Sequence, residues 1–555
     1  MRINGKEIGL PNDFVIYDTD DQSSLIKHII KDFGIDNKHF HPYAVLSTIS
    51  SAKSELVKPE EYANLAQGYF QKTVAKIFPE YQKRLRANNA LDFDDLLVET
   101  VRLFQNVPQV LQKYQRIFEF VLVDEYQDTN KAQYVLTKLF SNGARNLFVV
   151  GDMSQAIYRF RGADFRNILN FQRDYPDAVV YNLEQNYRST QNIIEAAKNV
   201  IKNNSTHIAL DLWTDNAEGD KIVAFSGGTE RDEAQFVVNQ ILNELEGGLE
   251  YKDLAVLYRT NAQSRNMEEA LIRSNIPYKI VGGQRFYARK EIKDIIAYLR
   301  VIHNPKDSVS WERIINVPTK GIGQKAVEQL KATKWDLKEV DSKTKLPFSD
   351  WVEKKSTMST LELMEDILLK SKYIEWLNDG SDENKERIEN IEELKSVASQ
   401  FVELADFLEN VALIESSDKP SSDMYNAVTL MTVHASKGLE FNIVFIIGME
   451  EGLFPHTNSM EDVEDLEEER RLCYVALTRA MRKVFMTHTN SRLYFGNVQS
   501  NLPSRFLNEI PQKLINHLGN TRSYGYGKAN EKFSPKGVND YLDDMEIDRK
   551  NFNWD

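Results

Sequence analysis

Apolar positions along the chain change their spacing several times, and each change marks a new kind of element. Up to about residue 90 they recur at helical intervals, as in Ser23-Ser24-Leu25-Ile26-Lys27-His28-Ile29-Ile30, with Pro11, Pro42 and Pro59 as interruptions. Leu91-Asp92-Phe93-Asp94-Asp95-Leu96-Leu97 opens a further helix, with Asp92 as its N-cap. From residue 118 short continuous apolar runs take over. Phe120 to Val123 and Asn146 to Asp152 read as buried strands, and Ala178 to Leu183 reads as a third, followed by a helix that Ser189 or Thr190 caps. Such alternation predicts a parallel sheet.

A second α/β set begins with strands at Leu254 to Thr260 and Tyr278 to Val281, separated by a helix through Met267 to Arg273. Strands of the same kind return at Val428 to Val433, Ile443 to Gly448 and Val484 to Thr487. Between them the spacing is helical and charge-rich, as in Glu291-Ile292-Lys293-Asp294-Ile295-Ile296-Ala297-Tyr298-Leu299. The expected fold class is therefore α/β, with two parallel-sheet domains, the second split by a helical insertion. The expected divisions are a helical segment at 1–90, first-sheet residues at 91–190, the opening of the second sheet domain at 191–284, the insertion at 285–425, the rest of that domain at 426–515, and a flexible tail at 516–555.

Composition narrows the class. No run approaches the ~20 apolar residues of a membrane span, and Met1-Arg2-Ile3-Asn4-Gly5-Lys6 has no apolar secretory stretch behind it. Cys473 is the only cysteine, so no intramolecular disulfide forms and a reducing cytoplasm is expected. The net charge of −14 counts against a basic nucleic-acid-binding face overall, although a local cationic groove fits within an acidic protein. Seven acids crowd the nine residues Glu461 to Glu469, read as a solvated loop or helix start.

The candidate chemistry begins at Val121-Leu122-Val123-Asp124-Glu125, where an apolar run ends in adjacent carboxylates. At the carboxyl end of a parallel strand one such group can hold Mg²⁺ while its neighbour polarises water; an acidic turn is the alternative. Gly151 to Ala163 carries Gln155 and then Tyr158 and Phe160 interleaved with Arg159 and Arg161. Rings and guanidinium groups in alternation suit single-stranded nucleic acid, with inward packing of the rings as the alternative. Tyr187 and Arg188 stand at a further sheet edge.

Taken together, these stretches resemble the superfamily 1 DNA helicases of the UvrD/PcrA/Rep type. Val123 to Asn130 is similar to that family's Walker B motif, Gly151 to Ala163 to its third motif with Phe160 in place of Trp, and Leu183 to Thr190 to its fourth. Ala255 to Asn261, Gly282 to Phe286 and Arg289 to Asp294 resemble the next blocks, Met431 to Phe441 the fifth motif and Glu468 to Ala480 the sixth. The blocks keep family order from about residue 10 to 510.

The resemblance implies two RecA-like domains, the first incomplete, each with a helical insertion, sharing ATP and Mg²⁺. It implies Asp124 as the Mg²⁺ ligand, Glu125 as base, Gln155 as the coupling residue, and Arg188 and Arg479 as arginine fingers. Tyr187 is implied to stack on adenine and Glu440 to contact the ribose. Tyr158, Phe160, Arg161, His434 and His456 are implied to line a single-strand track, with packing as the alternative for the two histidines. The implied function is 3′→5′ translocation on single-stranded DNA and opening of duplex at single-strand junctions, in repair or replication. Repair proteins are possible partners, no membrane is involved, and a monomer or weak dimer is expected.

One block is missing. The family's phosphate loop, G-x-x-x-x-G-K-[ST], does not occur: Gly-Lys is found only at Gly5-Lys6 and Gly527-Lys528, and Gly321-Ile322-Gly323-Gln324-Lys325 resembles a hairpin turn for a DNA phosphate. The expectation is an N-terminally truncated helicase without ATPase activity of its own. A non-hydrolysing module that binds single-stranded DNA or a partner is the rival reading. A nuclease-helicase of the RecB/AddA kind would need a C-terminal nuclease, for which the tail has no room.

Overall fold

The computed structural model describes residues 1–36, 40–142, 145–206, 210–417, 425–494 and 497–519. The first 90 residues pack as helices, including Thr19–Asp32, Pro42–Ser54 and Gly68–Ala87, around Ile26, Ile29, Val74, Ile77 and Phe78. Helix Thr19–Asp32 starts at Asp18, whose carboxylate accepts the N–H of Asp21. Asp92 caps Phe93–Asn106 in the same way and also takes a buried ion pair from Lys53 at 2.5 Å, which ties the helical segment to the helix Phe93–Asn106.

Four short strands belong to the first half. β1 (Val15–Ile16) pairs parallel with β2 (Ala90–Leu91), and β3 (Val121–Val123) pairs parallel with β4 (Leu147–Val149). The expectation that Phe120 to Val123 and Asn146 to Asp152 are buried strands needs correcting. Phe120 is 68%, Leu122 73% and Phe148 58% exposed. A parallel pair buries both faces only when further strands and helices cover them, and among the described residues the β3–β4 sheet has two strands. The third expected strand is corrected too: Ala178 to Leu183 joins no ladder, and Val179, Tyr181 and Leu183 are exposed.

The second half is built on a seven-stranded sheet, all parallel, in the order β13-β5-β10-β9-β6-β8-β7. The strands are β5 (Ile222–Gly227), β6 (Leu254–Tyr258), β7 (Tyr278–Val281), β8 (Val428–Thr432), β9 (Phe441–Ile446), β10 (Ala480–Thr489) and β13 (Ile515–Gly519), with a separate hairpin of β11 (Arg492–Tyr494) and β12 (Asn497–Gln499). Period-two alternation sorts the side chains. Ala255 and Leu257 join the core on one face, whereas Leu254, Val256 and Tyr258 join the core on the other. Helices Gln191–Ile201 and Val463–Thr478 cover the first face, and Glu230–Glu246 with Ser264–Arg273 cover the second. β5 and β13 were not expected from the pattern. β13 places 515–519 on the sheet edge, so the expected tail at 516–555 begins too early; residues 520–555 lie outside the described residues.

Between β7 and β8 the chain is helical from Lys290–His303 to Leu404–Ser417, around a core holding Trp311, Phe348, Trp351 and Phe407. No helix among the described residues is long and apolar enough to cross a membrane.

Candidate functional site

Asp124 and Glu125 stand where β3 ends, beside the end of β4. Glu125 holds a left-handed backbone, φ 50°, and its N–H donates to Asp124 Oδ1 at 2.9 Å. A non-glycine residue there stores strain that the surroundings must sustain. Gln127 does so from below: its amide donates to Glu125 Oε2 at 2.5 Å, while its carbonyl oxygen accepts the N–H of Asp152 at 2.9 Å. Residue 151 must be glycine for this stitching, because a Cβ would meet Gln127 Oε1 at 2.7 Å. Asp152 in turn accepts Gln155 Nε2 at 2.8 Å. A cavity of about 470 Å³ opens beside the two acids, lined also by Val121, Val123, Asp128 and Thr129.

The second sheet domain reaches into this cluster through Lys437, from the β8–β9 connection. Its ammonium lies 2.5 Å from Asp128 and 3.2 Å from Glu125, donates to the Gln155 carbonyl at 2.8 Å, and sits 5.2 Å from the Tyr158 ring centre. Burial raises the Asp128 carboxyl above its usual range, and Lys437 opposes that rise. Lys437, Asp128 and Gln127 were not picked out by sequence reasoning. Lys437 lies inside a noted block, but its partner Asp128 is 309 residues away and no spacing signal joins them.

The two expected arginines come together. Arg188 donates to Glu440 at 2.7 Å, and Arg479 is buried with its guanidinium on the Val475 and Leu439 carbonyls and the Thr478 hydroxyl. Burial first, and then the Arg188 charge, push Arg479 down to about 10. Two guanidinium groups held this close favour an anion between or beside them. Tyr187 is 78% exposed and donates its hydroxyl to Gln185. An oxygen-ligand cation such as Mg²⁺ suits Asp124 and Glu125, since it takes one or two carboxylates and completes its shell with water and phosphate. Among the described residues no group of three or more His, Cys, Asp and Glu forms a metal cage.

Beyond Gln155 the chain runs directly into an aromatic row. The Tyr158 and Phe160 rings are 6.1 Å apart, and Phe160 meets His434 edge-on at 5.6 Å across the two domains. Phe160 is 59% exposed, so inward packing does not account for it. The Arg161 side chain lies outside the described residues. Arg159 pairs with Glu464 and Asp465 at 2.8 Å each, and Glu467 and Glu469 of the same run are buried, so the expectation of a solvated loop or helix start holds only for the outer acids. His456 is grouped elsewhere, by the buried Arg259–Glu469 pair: its backbone N–H donates to Glu469, and burial together with Arg259 lowers the imidazole below its usual range.

Two family models match the two halves of the chain. A profile described as the UvrD/REP helicase N-terminal domain matches residues 1–176, and one described as the UvrD-like helicase C-terminal domain matches residues 181–491. An ATP-dependent DNA helicase PcrA of Staphylococcus epidermidis (strain ATCC 35984) is 45% identical over 564 residues, covering 96% of this chain and 77% of that protein. The protein of the same name from Staphylococcus aureus (strain Mu50) is 45% identical over 570 residues, covering 97% of this chain and 78% of its own length.

Proposed function

The chain belongs to the UvrD-like helicase family, and from that premise we propose that its architecture serves ATP-driven 3′→5′ movement along single-stranded DNA, opening duplex at a junction during repair or replication. The observation that carries the reading is continuity. The segment whose Gln155 meets the carboxylate cluster continues within a few residues into Tyr158 and Phe160, and Lys437 and His434 of the other domain meet its two ends. A change at the acids is thereby coupled to the row of rings.

In this reading Asp124 would hold Mg²⁺, which would neutralise phosphate charge when bound, and Glu125 takes a proton from the attacking water. Arg188 and Arg479 stabilise charge on the phosphoryl group, Tyr187 stacks on adenine, and Glu440 leaves Arg188 to reach the ribose. Tyr158, Phe160 and His434 line the single-strand track, where each stacked ring contributes ~1–3 kcal/mol, and His456, grouped with Arg259 and Glu469, stands outside that row. Closing the cleft moves the strand past the rings.

The same residues support a limit. No G-x-x-x-x-G-K-[ST] run occurs in the 555-residue sequence, and loss of one phosphate-clamping cation costs ~10³-fold or more in phosphoryl transfer. These residues by themselves therefore hold single-stranded DNA without turning over ATP at a helicase rate. Fluorescence anisotropy with labelled oligothymidylate tests the assignment of roles. Phe160→Ala should weaken binding and Glu125→Gln should leave it unchanged; equal affinity of both variants and the parent chain would remove Phe160 from the track.

A further inference from the structure

A second cavity, of about 280 Å³, shares no lining residue with the one beside the two acids. Ser154 of the first half, next in the chain to Gln155, bounds it on one side; helix Gln191–Ile201, Leu210, Leu212 and Tyr474 of the second half bound it on the other. Two of its polar groups stand out. Ser154 is 7% and Tyr474 4% exposed, yet among the described residues neither hydroxyl makes a hydrogen bond. The Ser154 contact to Asp152 is made by its backbone N–H, and the Tyr474 contact to the Thr478 hydroxyl by its backbone carbonyl. Buried hydroxyl groups ordinarily find a partner, because leaving one unmade forfeits its hydration. Burial first, and then Asp152, push the Tyr474 hydroxyl above its usual range, so it keeps its proton and can donate. The charges around the cavity are unequally engaged. Lys198 donates to Asp211 at 2.9 Å and to the Leu212 carbonyl at 3.2 Å, and Glu195 accepts the Asn199 amide at 3.0 Å. Lys202, exposed at the end of the helix, reaches only the Asn199 amide oxygen and meets no carboxylate among the described residues.

We propose that this cavity binds a small aromatic acid that carries a second polar group opposite its carboxylate. The carboxylate pairs with Lys202 at the exposed rim, the ring lies against Ile201, Leu210 and Leu212, and the far polar group takes the Ser154 and Tyr474 hydroxyls. Size agrees with this class. At ~30 Å³ for each water-sized group, the cavity holds about ten non-hydrogen atoms. Charge agrees as well, since Glu195 and Asp211 already have donors, whereas Lys202 and the two hydroxyls are donors in want of an acceptor. A molecule held in this way touches both halves of the chain and neither Asp124 nor Glu125. It ties the turn Met153–Gln155 to helix Val463–Thr478, and so favours the arrangement in which Lys437 donates to the Gln155 carbonyl. The site is thus a small-molecule control point on the junction of the two halves.

The test titrates 4-hydroxybenzoate into the full 555-residue chain, read by ligand-detected NMR. A dissociation constant on the order of 1 mM or tighter is expected, which about ten well-placed non-hydrogen atoms can supply. Benzoate, which lacks the far hydroxyl, and 4-methylphenol, which lacks the carboxylate, should each bind about fivefold more weakly, the loss of one hydrogen bond. Tyr474→Phe and Lys202→Met should each weaken 4-hydroxybenzoate by about the same factor, and Lys338→Met, at an exposed lysine of the helical insertion, should not. Lys202 is exposed, so its variant tests the assignment even should Tyr474→Phe disturb the fold. At saturation, hydrogen exchange should slow at residues 153–156. No saturable binding, unchanged affinity in Lys202→Met or in a folded Tyr474→Phe, equal affinity for benzoate or 4-methylphenol, or exchange at 153–156 that the ligand leaves unaltered would each overturn the proposal.

Discussion

Replacing Lys437 by Met keeps the length of the side chain and removes the ammonium that joins the two sheet domains. The magnitude comes from burial. Lys437 and Asp128 have side chains 7% and 17% exposed at 2.5 Å, so removing one partner strands a carboxylate in a poorly hydrated place. Breaking a buried pair costs ~3–5 kcal/mol, and partial exposure of Asp128 puts the expectation at the low end, about 3 kcal/mol. The 3.2 Å contact to Glu125 adds little, since that side chain is 53% exposed and screened by water. Pairing Lys437→Met with Asp128→Asn in a double-mutant cycle, read by urea unfolding, should give a coupling of about 2 kcal/mol or more. Its pH dependence has a definite sign. Burial already raises Asp128, and without Lys437 it rises further, so the folded chain holds the proton more tightly than the unfolded one. The deficit of Lys437→Met is therefore largest near neutrality and shrinks as pH falls towards the ordinary aspartate value of 3.8. Additive single effects, or a deficit that grows on acidification, would rule out this coupling.

Other substitutions probe separate parts of the site. Gly151→Ala drives a methyl group into Gln127 and Ile168, both 2.7 Å away, and should cost about 1–3 kcal/mol in thermal or urea unfolding. Arg159→Ala removes ion pairs whose side chains are 43–59% exposed, so its effect in urea unfolding should stay below about 1 kcal/mol at physiological salt. Phe160→Ala should weaken oligothymidylate binding by roughly 5- to 160-fold, the loss of one stacked base, and Phe160→Trp should preserve it in the same anisotropy titration. Burial raises the Cys473 thiol well above its usual range, so iodoacetamide at neutral pH should label it in denaturant and leave the native chain unlabelled, as mass spectrometry would show.

What was legible in the sequence was local. The Asp92 cap, the helical first segment, and the strand expected at Leu254 to Thr260 depend on neighbours within a few residues, and the structure contains them, the strand as Leu254–Tyr258. The candidate residues were named from contiguous stretches, and Tyr158, Phe160 and His434 do meet. Failures occurred where partners decide the outcome. Phe120, Leu122 and Tyr181 are as apolar as any core strand, yet burial depends on what lies over them, which their own pattern does not contain. β13 was missed for the reverse reason: Ile515-Asn516-His517-Leu518-Gly519 is polar for a strand, and pairing with β5 holds it at the sheet edge. Lys437 was missed because a lysine beside glycine gives no sign of the aspartate it will bind.

Lys437 and Gln155 join the carboxylate cluster to the row of Tyr158, Phe160 and His434, and the proposed coupling of nucleotide to single-stranded DNA rests on that junction. The decisive experiment measures phosphate release from Mg·ATP by the purified 555-residue chain, with and without oligothymidylate, alongside binding of the same oligonucleotide. Tight, salt-sensitive binding with no DNA-stimulated release is the expected result. Turnover on the order of 1 s⁻¹ or faster, within the ordinary range for enzymes, would contradict it.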